Sequence, residues 1–419
     1  MTKQYTHLLN SLEVNDHLSY DHAGMRVHNL GVLLRRIWCN EETSRAGLAR
    51  ETGLSRSAIS ALVDRLLSID LIELAGSGQS TGGRKPTILR FRDDANFILG
   101  IDLGATHISI VLTNLRGKIL AWKSTPCPVR DNPKETISLL NQLIDQIQRD
   151  VSFDQNQLLG IGLAVASPIN PEDPGHLSPL FMPSWREIDL TQDLGLPRGV
   201  PLLIDNDANV GALAETWWGG GQNGGNLAFI KLGTGVGAGF VIDGRIFKGH
   251  GGLAGELGHI VIDPEGPECV CGLRGCLVTF VGSQALLKRA SDIASNLGES
   301  EHWRPSDLMG FLKELKEGDR VARICTTEAA QRIGLAVAGL LNMMNPEVVV
   351  LGGPLALAGD ALLHPLKERV LSRSLWSAVA RSRILTSELG EQVIALGAST
   401  LVLQDMLTHP ARFFEWGRT

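Results

Sequence analysis

Apolar residues recur at helical spacing near the start of the chain: Val27, Leu30, Leu33, Leu34 and Ile37 predict an amphipathic helix over residues 26–39. Ser44 is placed to cap a second helix that runs to Thr52, where Gly53 breaks it. Ser55 caps a third, whose buried face would carry Ile59, Leu62, Val63, Leu66 and Leu67. Two short helices about Gly53 and Leu54 read as helix-turn-helix. A short strand over 71–74, a Gly- and Ser-rich tip and a second strand over 87–91 then form a wing. Residues 1–25 have no clear period and read as an arm, so that 26–93 is expected to be a winged-helix domain.

Beyond Arg92 the pattern changes. An apolar strand over 97–102 leads into Gly104-Ala105-Thr106, a second strand over 108–112 and a turn at 114–118 into a third. The same layout returns with a strand over 227–231, the turn Gly233-Thr234-Gly235-Val236-Gly237, a strand over 238–242 and a turn at Asp243-Gly244. Use of one unit twice predicts two similar α/β lobes, 94–218 and 219–392, with a C-terminal helix over about 393–419 packing back on the first. A further apolar strand over 348–351 ends in Gly352-Gly353. The turns with Gly104 and with Gly233 and Gly235 could hold phosphates through backbone N–H groups, with Thr106 and Thr234 as hydroxyl donors; Asp102 before the first turn, and Gly352 and Gly353 after a third strand, are further candidates if a nucleotide binds. Tight hairpins need glycine as well, and no Gly-Lys-Ser/Thr follows these turns, so none is a Walker A loop.

Charge separates the head from the body. The net charge is −6, yet residues 26–92 hold eleven Lys and Arg against six acids, which leaves +5 there and −11 elsewhere. A basic module on an acidic body implies a polyanionic partner for the module alone. The exposed face of the third helix offers Ser55, Arg56, Ser57, Ser60 and Arg65, donors suited to major-groove base edges. Arg84 and Lys85, at the end of the wing, are placed for phosphate or minor groove. The alternative is a small structural domain with a solvated basic face. The 43% hydrophobic and 20% charged residues describe an ordinary globular chain. The polar start excludes a signal peptide, and residues 333–344 are too short for a bilayer span, so a cytoplasmic protein without membrane insertion is expected. Six cysteines, three of them clustered, fit a reducing compartment.

The clustered cysteines carry the most specific chemistry. Gly255-Glu256-Leu257-Gly258-His259 is followed by Cys269, Cys271 and Cys276, one imidazole and three thiols within eighteen residues. That is the ligand count of a closed, structural zinc site, and Gly272 and Gly275 let the chain turn back on it. Glu256 sits beside the metal loop, either as an acceptor for a polyol or as a solvated acid. A second polar cluster, Asp205-Asn206-Asp207-Ala208-Asn209, lies where an apolar strand meets a helix, and a helix cap is its simplest use.

G-E-x-G-H followed by C-x-C-G-x-x-G-C resembles the ROK family of sugar kinases and sugar-responsive transcriptional regulators. R-x-x-L-A-x-x-T-G-L-S-x-x-x-I-S, ending in G-G-R-K-P, is similar to the DNA-binding half of the regulators, which the kinases lack. The resemblance implies a two-lobed actin/hexokinase-like (RNase H-like) ATPase fold with sugar and nucleotide in the cleft. By it, His259 serves the zinc and faces the sugar, Glu256 binds sugar hydroxyls, and Asn206 and Asp207 match the asparagine and the catalytic aspartate of the kinases. Two departures stand out. Ala166-Ser167-Pro168 replaces a proline-glycine-proline run near the sugar, and Val278 stands where the family commonly has a second sugar-binding glutamate. The expectation is therefore a sugar-responsive regulator, a repressor, that binds a monosaccharide or sugar phosphate and an inverted-repeat operator as a homodimer or homotetramer. Its rivals are an ATP- and magnesium-dependent sugar kinase carrying a DNA-binding module, and a scaffold controlled by a partner protein.

Overall fold

The computed structural model describes residues 22–77, 85–222, 225–299, 303 and 305–414. The head starts with α1 (His22–Cys39), which begins four residues inside the stretch expected to be an arm. It continues through β1 (Thr43–Ser44), α2 (Arg45–Thr52), α3 (Arg56–Ser68), β2 (Ile72–Ser77) and β3 (Thr87–Phe91). The caps are those the sequence marks. Ser44 accepts from the Gly47 N–H, Gly53 closes α2 at φ 71°, and Ser55 accepts from the Ala58 N–H. Each such cap contributes about 1 kcal/mol. β2 runs three residues further than the expected strand, with a register irregularity between Leu74 and Ser77. Thr43 and Ser44 pair with β3 and add a third strand that two residues could not announce.

The body contains two five-stranded sheets of the same design. In the first, β4 (Phe97–Leu103), β5 (His107–Asn114) and β6 (Ile119–Pro126) are antiparallel, and β7 (Leu158–Val165) and β8 (Leu202–Asn206) run parallel to β4. In the second, β9 (Leu227–Leu232), β10 (Val236–Ile242) and β11 (Arg245–Ile246) are antiparallel, with β12 (Val348–Gly352) and β13 (Arg383–Thr386) parallel to β9. The orders β6-β5-β4-β7-β8 and β11-β10-β9-β12-β13 are one topology used twice. Helix α4 (Pro133–Val151), capped by Asn132, covers the first sheet with Leu140, Leu143, Ile144 and Ile147.

Two helices knit the units together. Helix α5 (Asp207–Trp218) follows directly from β8 yet packs against β9 and β10 of the second sheet, and is buried along nearly its whole length. The C-terminal helix α12 (Val393–Thr408) returns to β4 and β7 of the first sheet and ends well before residue 419. Its approach is so close that a Cβ at Gly100 or Gly162 would overlap the carbonyl oxygens of Ala395 and Ala398. The head is not a separate bead. Leu33, Leu34 and Trp38 of α1 share one buried cluster with Leu115, Trp217, Leu403 and Leu407. Among the described residues no helix is long and apolar enough to cross a membrane.

Candidate functional site

The candidate metal site is assembled by a loop with almost no regular structure. A single turn at Leu257–His259, isolated bridges between Val261 and Cys276 and between Glu268 and Arg274, and Gly275 at φ 68° return the chain to its start. A side chain at Gly275 would collide with the carbonyl oxygen of Asp263. Ligand atoms of His259, Cys269, Cys271 and Cys276 all lie within 4.8 Å of one another. Cys269 Sγ is 3.4 Å from His259 Nδ1, and Cys271 Sγ is 3.6 Å from Cys276 Sγ. Tetrahedral sulfur ligands about 2.3 Å from a zinc ion stand about 3.8 Å apart, so the donor set fits one ion and leaves no open position. Burial holds the His259 imidazole below its ordinary range, which keeps the ring neutral and able to ligate. With Nδ1 turned to the thiols, Nε2 faces Glu256 across 3.9 Å.

That imidazole forms one wall of a cavity of about 470 Å³, which Ser167, Asn206, Asp207, Glu256 and His259 all line. The polar cluster at the start of α5 divides its labour. Asp205 accepts from the Asn206 N–H and the Asn209 amide and pairs with Lys248 at 2.7 Å, so it holds the strand-helix corner. Asn206 is the helix cap: its oxygen accepts from the N–H groups of Ala208 and Asn209, and its amide donates to the Ser167 carbonyl at 3.1 Å. Asp207 is the member whose carboxylate faces the cavity. Burial, and then the Asp207 charge, raise the pKa of Glu256. Val278, at the start of the short helix Val278–Val281, lines the same cavity with an apolar surface.

Among the residues expected at a nucleotide, Thr106, Gly233, Thr234 and Gly235 line the cavity. Asp102 lies buried behind them, hydrogen-bonded through Oδ2 to His107 Nε2 at 3.1 Å. Gly104 lies under the same imidazole ring. Gly352 packs against the Phe229 ring and Gly353 turns at φ 84° beside the Leu232 carbonyl, and neither lines this cavity. The pattern missed Lys231, the most consequential side chain of the site. Its ammonium, at the end of β9, bonds Asp207 Oδ2 inside the cleft. Burial alone would lower its pKa, but the charges of Asp207 and Asp102 hold it raised. A lysine in the apolar run Leu227-Ala-Phe-Ile-Lys231-Leu was the available signal. His107 and Arg130, which also line the cavity, were missed for the same reason.

On the head, Arg56 and Ser57 are exposed and Ser60 and Arg65 half-buried on the outer side of α3. Ser55 is committed to its cap and lies 3.1 Å from the Ser57 hydroxyl. Asp64, an acid on the same helix, is neutralised by Arg45 at 2.7 Å. Lys85 is exposed at the base of the wing, and Arg84 lies outside the described residues.

Known proteins share both halves. A xylose repressor of Caldicellulosiruptor bescii is 31% identical over 397 residues, covering 93% of this chain and 99% of that protein. A glucokinase of Thermotoga maritima is also 31% identical, over 314 residues that make up 73% of this chain and 96% of the kinase. The crystal structure of a ROK family transcriptional regulator, a homolog of the E. coli MLC protein, superposes with a TM-score of 0.76 and 25% identity over 92% of this chain and 97% of its own. Residues 98–405, from the first strand of the body into its C-terminal helix, match the ROK family, and to that family this chain belongs.

Proposed function

We propose that the protein is a sugar-responsive, DNA-binding transcriptional regulator, a repressor, acting in the cytoplasm as a homodimer or homotetramer on an inverted-repeat operator. The cleft takes a monosaccharide or sugar phosphate: Asp207 and Glu256 accept hydrogen bonds from hydroxyls, His259 Nε2–H donates one, and zinc on the loop of three cysteines and one histidine holds the last two in place. Arg56, Ser57, Ser60 and Arg65 read bases, while Arg84 and Lys85 hold phosphate or minor groove. The observation that carries the reading is the route from cleft to head. Helix α5 starts at Asp207 in the cavity and leads to Trp217, whose ring centroid lies 5.7 Å from that of Trp38 on α1. A sugar that binds one arrangement of the lobes better than another therefore acts on the seat of the DNA-binding head. Similarity to the repressor over head and body alike supports this over the kinase reading.

The test is direct. A duplex selected from a random pool by the purified protein should bind it at a defined sequence, and one sugar from a panel of free and phosphorylated monosaccharides should release it. Equal affinity for every duplex would defeat the reading. Within that assay Arg56→Ala should cost about 1–3 kcal/mol at one operator position, provided the guanidinium grips a guanine bidentately. Lys85→Ala should weaken all sequences alike and lower the salt slope by about one. Glu256→Ala should cost about 1.5–3 kcal/mol of sugar affinity, the worth of hydrogen bonds to a charged acceptor, as read by calorimetry.

The rival enzyme would use Asp207 as the base that takes the proton of the attacking hydroxyl. Val278 takes an acid out of the sugar shell, and phosphoryl transfer depends on close placement, so phosphorylation is expected to be weak or absent. Turnover near 10 s⁻¹, the order typical of enzymes, abolished by Asp207→Asn, would make the protein a kinase.

A further inference from the structure

We propose that Lys231 fills the cation position of the cleft, so that this body keeps the architecture of a phosphoryl-transfer enzyme while its own ammonium excludes the magnesium-nucleotide complex. The inference rests on the regulator reading and gives a physical reason for the weak or absent phosphorylation expected there.

Two carboxylates set the scene. Asp102 lies near the end of β4, just before the glycine turn 104–106, and Asp207 begins α5 on the same cavity as the turn 233–235. In ATP-dependent transfer, acids so placed hold the divalent ion that bridges the phosphate oxygens. Here one oxygen of each acid is already taken, while Asp102 Oδ1 is buried with no hydrogen-bond partner among the described residues. Lys231, with its side chain 17% exposed, donates to Asp207 Oδ2, and both carboxylates hold it in its charged form against the effect of burial. His107 covers Asp102: its Nε2 bonds Oδ2 at 3.1 Å, and Asp102 raises the imidazole pKa against burial and the nearby Lys231 charge. The same ring lies over Gly104, so a Cβ there would run into it. Backbone N–H groups cradle a phosphate only where the glycine face is open, and this face is covered by an imidazole.

The residues present therefore do not fit a magnesium-nucleotide complex. A divalent ion entering between the acids would have to displace a buried ammonium that these same two carboxylates hold, and repulsion opposes the exchange before any coordination is gained. The arrangement also occupies the oxygen a base would use, because the Lys231 ammonium donates to Asp207 Oδ2. What survives is a sugar sensor that needs no nucleotide.

The experiment uses the full chain with its zinc site loaded and manganese(II) as a spin-visible probe, with and without ATP. Wild-type protein is expected to show no saturable manganese binding at millimolar concentration and no rise in melting temperature with Mg·ATP. Lys231→Ala should bind manganese at least tenfold more tightly, and the gain should vanish in the Lys231→Ala/Asp207→Asn double variant. Lys231→Gln, which keeps the length without the charge, serves where the alanine variant fails to fold. Stabilisation of the wild type by Mg·ATP, a measurement that needs no variant, overturns the proposal. So does a folded Lys231→Ala or Lys231→Gln chain with no gain in manganese affinity. None of these readings involves sugar or DNA. A chain that binds manganese-ATP in the wild type and still releases its operator with sugar defeats this inference alone. Loss of specific DNA binding, with the manganese gain intact, defeats only the regulator reading.

Discussion

Stripping the metal from the folded protein is expected to abolish sugar binding while leaving the DNA-binding head folded. The loop that carries Glu256 and His259 is anchored at its start by Leu257 in the core, but around the cysteines it is thinly held: Val270 and Leu273 are exposed, and its strand-like pairing amounts to two isolated bridges. Cys276 is fully buried and leads straight into Leu277 and Val281, which belong to the core of the second lobe. A metal held by the four ligands would therefore tie the thinly held part of the loop to that core. Structural zinc sites in small peptides bind with about 10–16 kcal/mol at neutral pH, so even a fraction of that exceeds what the loop's own contacts supply. Purified protein should carry one equivalent of zinc. Cys271→Ser or prolonged chelation should remove it and eliminate the thermal shift that a saturating sugar gives, roughly 2.7 kcal/mol at a hundred times the dissociation constant. The head contains none of the four ligands, so salt-dependent DNA binding should persist. Zinc content well below one equivalent, with sugar binding intact, would refute the assignment.

How much of this was legible in the chain depends on how local each signal is. The caps of α2 and α3 are made by residues within three positions of the N–H they serve, and Ser44, Gly53 and Ser55 stand where the pattern placed them. The duplicated sheets announce themselves through apolar strands and glycine turns, each a short stretch, and the four metal-ligand candidates lie inside one loop. Contacts between distant segments have no such signature. Lys231 and Asp207 meet because β9 and α5 pack together, and a single lysine in an apolar strand does not reveal its partner. Asn206 illustrates a competition. Both its cap and its place in the cavity were readable, and the structure realises them in one side chain, with the oxygen committed to the helix. Gly352 and Gly353 share the look of the phosphate turns, yet they answer to Phe229 and Leu232, neighbours that only the folded sheet provides.

Trp38→Ala is expected to cost about 3–5 kcal/mol of stability, the usual effect of truncating a buried tryptophan, and to disconnect the head from the sugar. Trp38 is fully buried. Its Nε1–H donates to the Leu115 carbonyl at 2.8 Å, and the Arg116 guanidinium lies 4.8 Å above its ring while donating to the Trp38 carbonyl. Alanine would leave a cavity, an unpaired carbonyl and an Arg116 guanidinium that keeps only the Phe91 ring beneath it, all at the junction of α1 with the body. Arg35, whose guanidinium donates to the Leu407 carbonyl at 3.2 Å, would remain as a tether. The damage should therefore appear as a head that unfolds or swings ahead of the body, while the sugar still stabilises the body. Allosteric couplings are typically about 1–3 kcal/mol, so a loosened junction is enough to erase one. In the operator assay the variant should bind DNA more weakly and respond little to sugar. Trp122→Ala, at a partly exposed ring whose Nε1–H donates to Ser109, is the control and should keep the response. Trp217→Phe refines the test, because Trp217 Nε1 is buried with no hydrogen-bond partner among the described residues. Phenylalanine removes that unpaired donor, which costs about 1–3 kcal/mol when left unsatisfied, and should offset much of the lost packing. If Trp38→Ala is destabilised as expected yet sugar still releases the operator as in the wild type, the signal does not travel from Asp207 along α5 to Trp38.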